Sequence, residues 1–379
     1  MAERSSSDDR RQEPGDARWT LVRLARHAGV AASTVSRALR NDPRISAEVR
    51  DRIVALALEV GYTTNALARS LVGGQSGLIG LVLGPVENPF YAELMQRAVT
   101  QAAARGWRLL LVHAGVGPIE QATAQALLQY RVDGCLITSA ELSSRAAAIC
   151  RANGVPLVMV NRVAWEHGSA VSCDNHAAGA ALAQLLIDAG HRRLAVVTGN
   201  ARTSTSLERA DGFARCATAA GLPEPLAFGG GGNTHAMGFA AGEQIAALDP
   251  ESRPDAVMAV SDILAMGVMD ALREAGIGVP DAISVVGIDG VAPALRPPYR
   301  LTTIAQPVEA MIERALDLLQ ARMSGDPRAD ELVVLRGTLI QGSSARLPAR
   351  HDPAQDQLHD LAQDQLEDRS QAPGAGRAL

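Results

Sequence analysis

Between residues 78 and 287 short apolar runs recur eight times, most of them separated by amphipathic stretches of helical length. A first set lies at 78–84, 108–113, 134–138 and 156–160, and a second at 193–199, 226–229, 255–260 and 282–287. Short apolar runs alternating with helices satisfy their backbones as parallel strands joined by right-handed crossovers. Two sets therefore predict two similar parallel-sheet lobes, an α/β core spanning 77–345. A ligand crevice is expected at the strand C-termini, where sheets of this kind bind small molecules. The run LAFG at 226–229 has the thinnest apolar signal. The glycines Gly229–Gly232 that follow it suit a plain loop better than a phosphate cradle.

Several function classes are set aside by what the chain lacks. No apolar run approaches the roughly 18 residues that span a bilayer. The first residues are polar and have no secretory apolar stretch, so the expected location is the cytoplasm. Cys135, Cys150, Cys173 and Cys216 form no CxxC pair and no zinc spacing, and read as buried apolar thiols. No strand is followed by GxGxxG, and GxxxxGK[ST] and GxSxG are absent. No metal, no cofactor and no catalytic activity are expected.

The net charge of −5 hides an asymmetry. Residues 18–73 hold nine arginines against four acids, a local charge of +5 on an otherwise acidic chain. A small basic module on an acidic body is suited to a polyanion, although a solvated basic face would look the same. All 36 basic residues are arginine, which the base composition of a genome explains as well as chemistry does.

That module reads as three short helices within 18–62. Thr20 caps Leu21–Ala28 and Gly29 turns the chain. A second helix runs from Ala32 to about Arg40, broken by Asn41–Asp42–Pro43. Ser46 caps a third, whose Val49, Ile53, Leu56 and Val60 form one apolar stripe ended by Gly61. This is a helix-turn-helix pattern. Its second helix carries Ser33, Thr34, Ser36, Arg37 and Arg40, so short hydroxyls let it lie close to a duplex and arginine can bond guanine edges.

Three motifs occur in order here: AGV-x-x-x-TVSR, a helix ending in GY, and N-x-x-ARSL. Together they resemble the headpiece of the lactose-repressor/galactose-repressor (LacI/GalR) family. The resemblance implies a homodimeric transcriptional regulator, most often a repressor, on pseudo-palindromic double-stranded operator DNA. It places Ala32, Ser33 and Arg37 at base-reading positions, and Thr34, Ser36 and Asn41 near phosphates. Arg44 takes a further DNA-facing position. It also makes 63–76 a hinge, from Asn65 to a Leu71 that wedges between base pairs. Ala31 departs from the family, which usually has a capping serine there, and Thr64 stands where proline is common.

Marks of the same family's effector domain run through 78–345, among them NPFYAEL, Asp174–Asn175, GHRR, ER-x-x-GF, ISVVGID and LTTI-x-Q. The resemblance implies the fold of periplasmic sugar-binding proteins and a small-molecule effector, a sugar or sugar-like metabolite. Phe90, Tyr91, Asn161, Arg162, Asp174, Arg209, Asp262 and Asp289 match effector-site positions. Asn161 replaces a common aspartate and makes the site less negative. Asp174 and Asp262 can equally cap the helices that follow them, a reading favoured for Asp262. The segments 1–17 and 346–379 are expected to be disordered; the latter repeats AQDQL at 354–358 and 362–366. The competing reading is a cytoplasmic ligand-binding or sugar-processing protein with an incidental helical N-terminus.

Overall fold

The computed structural model describes residues 19–62, 76–84, 86–113, 125, 127–138, 146–163, 169–326 and 331–347. The chain divides into two compact units, Met1–Gly77 and Leu78–Leu379, each taken by itself below. The expected arm, the hinge from residue 63 to 75 and the tail from residue 348 onward lie outside the described residues.

In the first unit, α1 spans Leu21–Ala28, α2 Ala32–Ala38 and α3 Ala47–Glu59. Thr20 Oγ1 accepts from the Arg23 amide at 3.2 Å, and Gly29 closes α1 at φ 68°. Ser46 Oγ accepts from Val49 N at 3.5 Å. Ala31, at the start of α2, makes no side-chain cap bond. Leu24, Val35 and Ile53 are fully buried, one from each helix, and meet in one core. Each such side chain contributes about 1.5–3 kcal/mol of burial. Val49, Leu56 and Val60 of the expected stripe pack against that core.

The second unit holds two six-stranded sheets with the same strand plan. The strands of the first are β1 (Leu78–Leu83), β2 (Arg108–His113), β3 (Gly134–Ile137), β4 (Leu157–Val160), β5 (Ser169–Cys173) and β11 (Leu332–Leu335), in the order β11-β5-β4-β3-β1-β2. The second contains β6 (Leu194–Thr198), β7 (Leu226–Gly229), β8 (Ala256–Ala259), β9 (Ser284–Asp289), β10 (Thr302–Ala305) and β12 (Thr338–Ile340), in the order β12-β10-β9-β8-β6-β7. All eight expected runs are strands, LAFG included. Four further strands, β5, β10, β11 and β12, extend the sheets. All pairings are parallel except β10 with β12. On β1, β3 and β4 alternate side chains enter two different apolar clusters, so the first sheet is covered on both faces.

The helices are α4 (Pro89–Ala104), α5 (Ala146–Ala152), α6 (Asn175–Asp188), α7 (Ser204–Ala219), α8 (His235–Ala246), α9 (Asp262–Glu274), α10 (Ala292–Leu295) and α11 (Val308–Met323). The chain changes lobe three times: after β5 into α6, between β10 and α11, and between β11 and β12. Helix pair α6–α7 approaches until a Cβ at Gly179 would strike the Arg209 carbonyl, and one at Gly212 the His176 carbonyl. That close approach sets the place from which Arg209 projects.

Candidate functional site

On α2, Ser33 and Arg37 are exposed, as is Arg40 in the turn just beyond it; Thr34, Ser36 and Ala32 are half-buried, and Val35 and Ala38 hold the helix to its core. The result is a helix anchored on one side and polar on the other. Arg40 Nε donates to the Ser36 carbonyl at 3.1 Å. Asn41 takes the left-handed conformation, φ 56°, in the turn that ends the helix. Arg44 is exposed but already forked onto Asp42, with Nη2 2.7 Å from Oδ2 and Nε 3.0 Å from Oδ1. That fork holds the Asp42 carboxyl well below the usual range. A phosphate at Arg44 would compete with Asp42. Asn65 and Leu71 lie outside the described residues.

In the core, the loops at the C-terminal ends of β1, β4, β6, β7, β8 and β9 converge on one cavity. Of the expected effector residues, Phe90, Tyr91, Asn161, Arg162, Arg209 and Asp289 line it. Asn88 Oδ1 accepts from Phe90 N at 3.0 Å and fixes the start of α4. Phe90 and Tyr91 are buried edge to face, centroids 5.5 Å apart. The guanidinium of Arg162 stands 5.9 Å from the Tyr91 ring centre.

Arg209 is 3% exposed. Its Nε donates to Asn175 Oδ1 at 2.8 Å, and its Nη1 to the Val260 carbonyl at 2.7 Å and to Asp289 Oδ1 at 3.0 Å. The same Asp289 oxygen accepts from Gln306 Nε2 at 2.7 Å. Arg209 is thus not paired with Glu208 or Asp211 on its own helix. Burial raises the Asp289 carboxyl above its ordinary range, against the pull of Arg209, Gln306 and Arg162. Asn161 (φ 73°) and Asp289 (φ 144°) both hold backbone conformations rarely adopted by side-chain-bearing residues. Local strain of this kind clusters at binding sites.

Two expected site residues stand elsewhere. Asp174 caps α6, its Oδ1 accepting from Ala177 N at 3.0 Å. Asp262 is neither a cavity-lining residue nor a cap, because the cap of α9 is Ser261. Fully buried, Asp262 grips the neighbouring loop: Oδ2 accepts from Gly290 N at 2.7 Å and Val291 N at 2.9 Å, and Oδ1 from Thr303 Oγ1 at 2.6 Å. Burial and the nearby Asp289 charge push its carboxyl up to about 7, the three donors opposing them. Asp262 therefore shapes the loop after Asp289.

Sequence reasoning missed Asn88, Thr205, Ser206, Asn233, Val260 and Ser261 in the lining. It also missed Asn175 and Gln306, which orient Arg209 and Asp289. The motifs NPF, Asp174–Asn175 and LTTI-x-Q contained three of these residues without revealing their roles. Val163 N donates to Ser204 Oγ at 3.1 Å, a bond from the first lobe to the second beside the cavity. The cavity is narrow, about 20 Å³, room for little more than one ordered water.

A family model described as bacterial regulatory proteins, lacI family, matches residues 20–65, and one described as a periplasmic binding protein-like domain matches 183–345. The chain is 34% identical over 332 residues to the ribose operon repressor of Escherichia coli (strain K12), covering 86% of this chain and 99% of that one. The solved lac repressor dimer bound to operator and the anti-inducer ONPF has TM-score 0.77 at 25% identity, covering 86% and 99%. A complex of the transcriptional regulator CelR with cellobiose has TM-score 0.63 at 28% identity, covering 86% and 100%. With a helix-turn-helix unit ahead of a two-lobed core with parallel-dominated sheets, and relatives that align along nearly their whole length, this chain belongs to the lacI family of bacterial transcriptional regulators.

Proposed function

We propose that the chain is a homodimeric repressor that reads operator DNA with α2 and binds a polyhydroxylated effector in the cavity between its lobes. The observation that carries the effector reading is a set of buried polar atoms at the cavity. Arg162 Nε, Arg209 Nη2, Asn161 Oδ1, Asn233 Oδ1 and Ser261 Oγ make no hydrogen bond among the described residues. Two are donors, two are acceptors as oriented, and the hydroxyl is both. Buried groups of this kind are normally satisfied. A ligand rich in hydroxyls, which donate and accept, satisfies all five, and the adjacent faces of Phe90 and Tyr91 suit the apolar side of a sugar ring.

Ser33 and Arg37 are the exposed base-reading candidates on α2, with Ala32 beside them. Thr34, Ser36 and Asn41 approach phosphates, and Arg44 does so after leaving Asp42. The narrow cavity means that ligand entry moves the lobes, which links the cavity to the rest of the chain. The relatives are regulators, and the cavity polar groups are arranged for binding, with no nucleophile–base pair among them. We therefore read the chain as a cytoplasmic regulator without catalytic activity. The test is selection of duplexes by the full-length protein from a random pool, then titration of the winning site with a sugar panel. Equal affinity for the winner and for random DNA would remove the operator reading.

A further inference from the structure

We infer that the effector is a hydroxylated carboxylate, a sugar acid, in place of a neutral sugar; this deepens the cavity reading above and rests on it. Arg162 and Arg209 are the two guanidinium groups of the lining, and Asp289 is its one carboxylate among the described residues. Asp289 already serves Arg209 at 3.0 Å. Asp262 stands behind it with both oxygens accepting hydrogen bonds from Gly290, Val291 and Thr303. Arg162 is 8% exposed and forms no ion pair within 4 Å among the described residues; the one carboxylate whose pull it shares, Asp289, is already paired with Arg209. An arginine stays protonated when buried, so its charge calls for a counter-ion.

A second feature points the same way. Two helices start at the cavity with their caps unused. Thr203 at the start of α7 and Ser261 at the start of α9 make no side-chain cap bond. Thr205 and Ser206 of the first turn of α7, and Ser261 itself, line the cavity. The N-terminal dipoles of both helices favour negative charge there, wholly unmet by acidic side chains at α7 and met in part by Asp262 in the first turn of α9. By contrast α4, which also starts at the cavity, is capped by Asn88.

The polar atoms divide accordingly. A carboxylate only accepts, and Arg162 Nε and Arg209 Nη2 only donate. A guanidinium edge matches a carboxylate in shape. Asn161 Oδ1, Asn233 Oδ1 and Asp289 remain to accept from the hydroxyls. Two guanidinium groups against one lining carboxylate leave a single positive charge, which calls for one negative charge, whereas a phosphate monoester carries closer to two.

The test uses the full chain and matched probes in calorimetry: D-glucose, D-gluconate, D-glucuronate and D-glucose 6-phosphate, the galactose and galacturonate pair, and D-ribose with D-ribonate. At least one acid should bind tenfold or more tightly than its neutral parent. Arg162→Gln should weaken that acid at least tenfold and change the parent less than threefold. A neutral sugar that binds as well as its acid, or equal losses for both in the variant, overturns the inference while leaving the cavity as the effector site. A phosphate ester that outcompetes the acid overturns the carboxylate assignment. A second readout needs no ligand. Arg162→Gln should raise the melting temperature of the ligand-free chain, because a mostly buried charge whose nearest carboxylate is already paired with Arg209 is removed. A fall in melting temperature would mean that Asp289 and the Tyr91 face already compensate the Arg162 charge, and the charge argument fails. If no probe binds and the variant melts lower, the cavity reading falls with it.

Discussion

Neither Arg37 nor Arg162 forms an ion pair within 4 Å among the described residues, and they stand in opposite surroundings. Arg37 is exposed on α2, where water solvates its charge at no expense to the fold. Arg162 is 8% exposed in the cavity, where an unpaired charge opposes folding. The exposed surface can therefore meet many duplexes and gain its energy through counter-ion release. The buried one narrows what can enter before any ligand arrives. The described headpiece candidates all fall between Ala32 and Arg44, whereas the cavity gathers loops from Asn88 to Asp289.

The largest effect should come from Arg209→Ala. The side chains of Arg209 and Asp289 are each 4% exposed and paired at 3.0 Å. Removing the arginine leaves the carboxylate buried, for a loss of about 3–5 kcal/mol. Urea unfolding of the full chain, followed on the core transition, measures it. A loss below about 1 kcal/mol, the range of exposed ion pairs, would place the pair in water and erase the contrast with the headpiece. The same variant should lose its response to effector.

Asp262→Asn should destabilise the core by about 1–3 kcal/mol, since Gly290 and Val291 donate to one oxygen of Asp262 and Thr303 to the other, and an amide keeps only one accepting atom. The folded-state pKa near 7 lies above the ordinary 3.8. The folded form therefore holds a proton that the unfolded form has released across that interval. The contribution is complete below pH 3.8 and is lost as pH rises through 7. Asp289 shifts in the same direction. Wild type should thus lose stability from pH 5 to 8 while the variant curve is flatter, so the gap between them shrinks. A gap that widens with pH would reverse the sign assigned to Asp262.

Arg37→Ala should weaken binding to the selected operator by about 1–3 kcal/mol and relax preference at one base pair. Fluorescence anisotropy on the selected and a random duplex separates the cases. Equal losses on both would make Arg37 a phosphate contact. Arg44→Ala should lose less, because Asp42 already holds that guanidinium and DNA must displace it.

What was legible in the chain follows from how far each element depends on distant partners. The eight runs that became strands are apolar in themselves, so the parallel sheets could be read directly. Strand β5, SAVSC, and strand β10, TTIA, are fully or nearly fully buried yet short and rich in hydroxyls. Nothing local marks them as strands, because their neighbours β4 and β9 lie in the sheets and not beside them in a hairpin. Strands β11 and β12 sit at sheet edges and belong to different lobes. The third change of lobe was therefore hidden too. The ambiguity between ligand and cap at Asp174 and Asp262 had the same origin. A carboxylate before a helix looks alike in both roles until the loop that approaches it, here Gly290–Val291, is known. Arg162 was legible as a site residue, but its missing partner was not, since that depends on every side chain around it.

The smallest effect concerns the missing cap of α2. Ala31 has φ −66° and ψ 147°, the extended geometry of a capping residue, and makes no side-chain bond. Ala31→Ser places an oxygen within reach of the Ser33 and Thr34 amides without altering the backbone. Such a cap is worth about 1 kcal/mol, roughly a fivefold change in the opening equilibrium of the helix. Amide exchange of α2 in the full chain should slow by about that factor, while exchange in the core sheets stays unchanged. Serine is also short, so the exposed positions Ser33 and Arg37 keep their geometry. Specific DNA affinity should then rise only as far as α2 is frayed in the free protein, and less than the exchange rate changes. An affinity gain larger than the gain in protection would mean that the new hydroxyl itself touches the phosphate backbone, and Ala31 would join the DNA-facing surface.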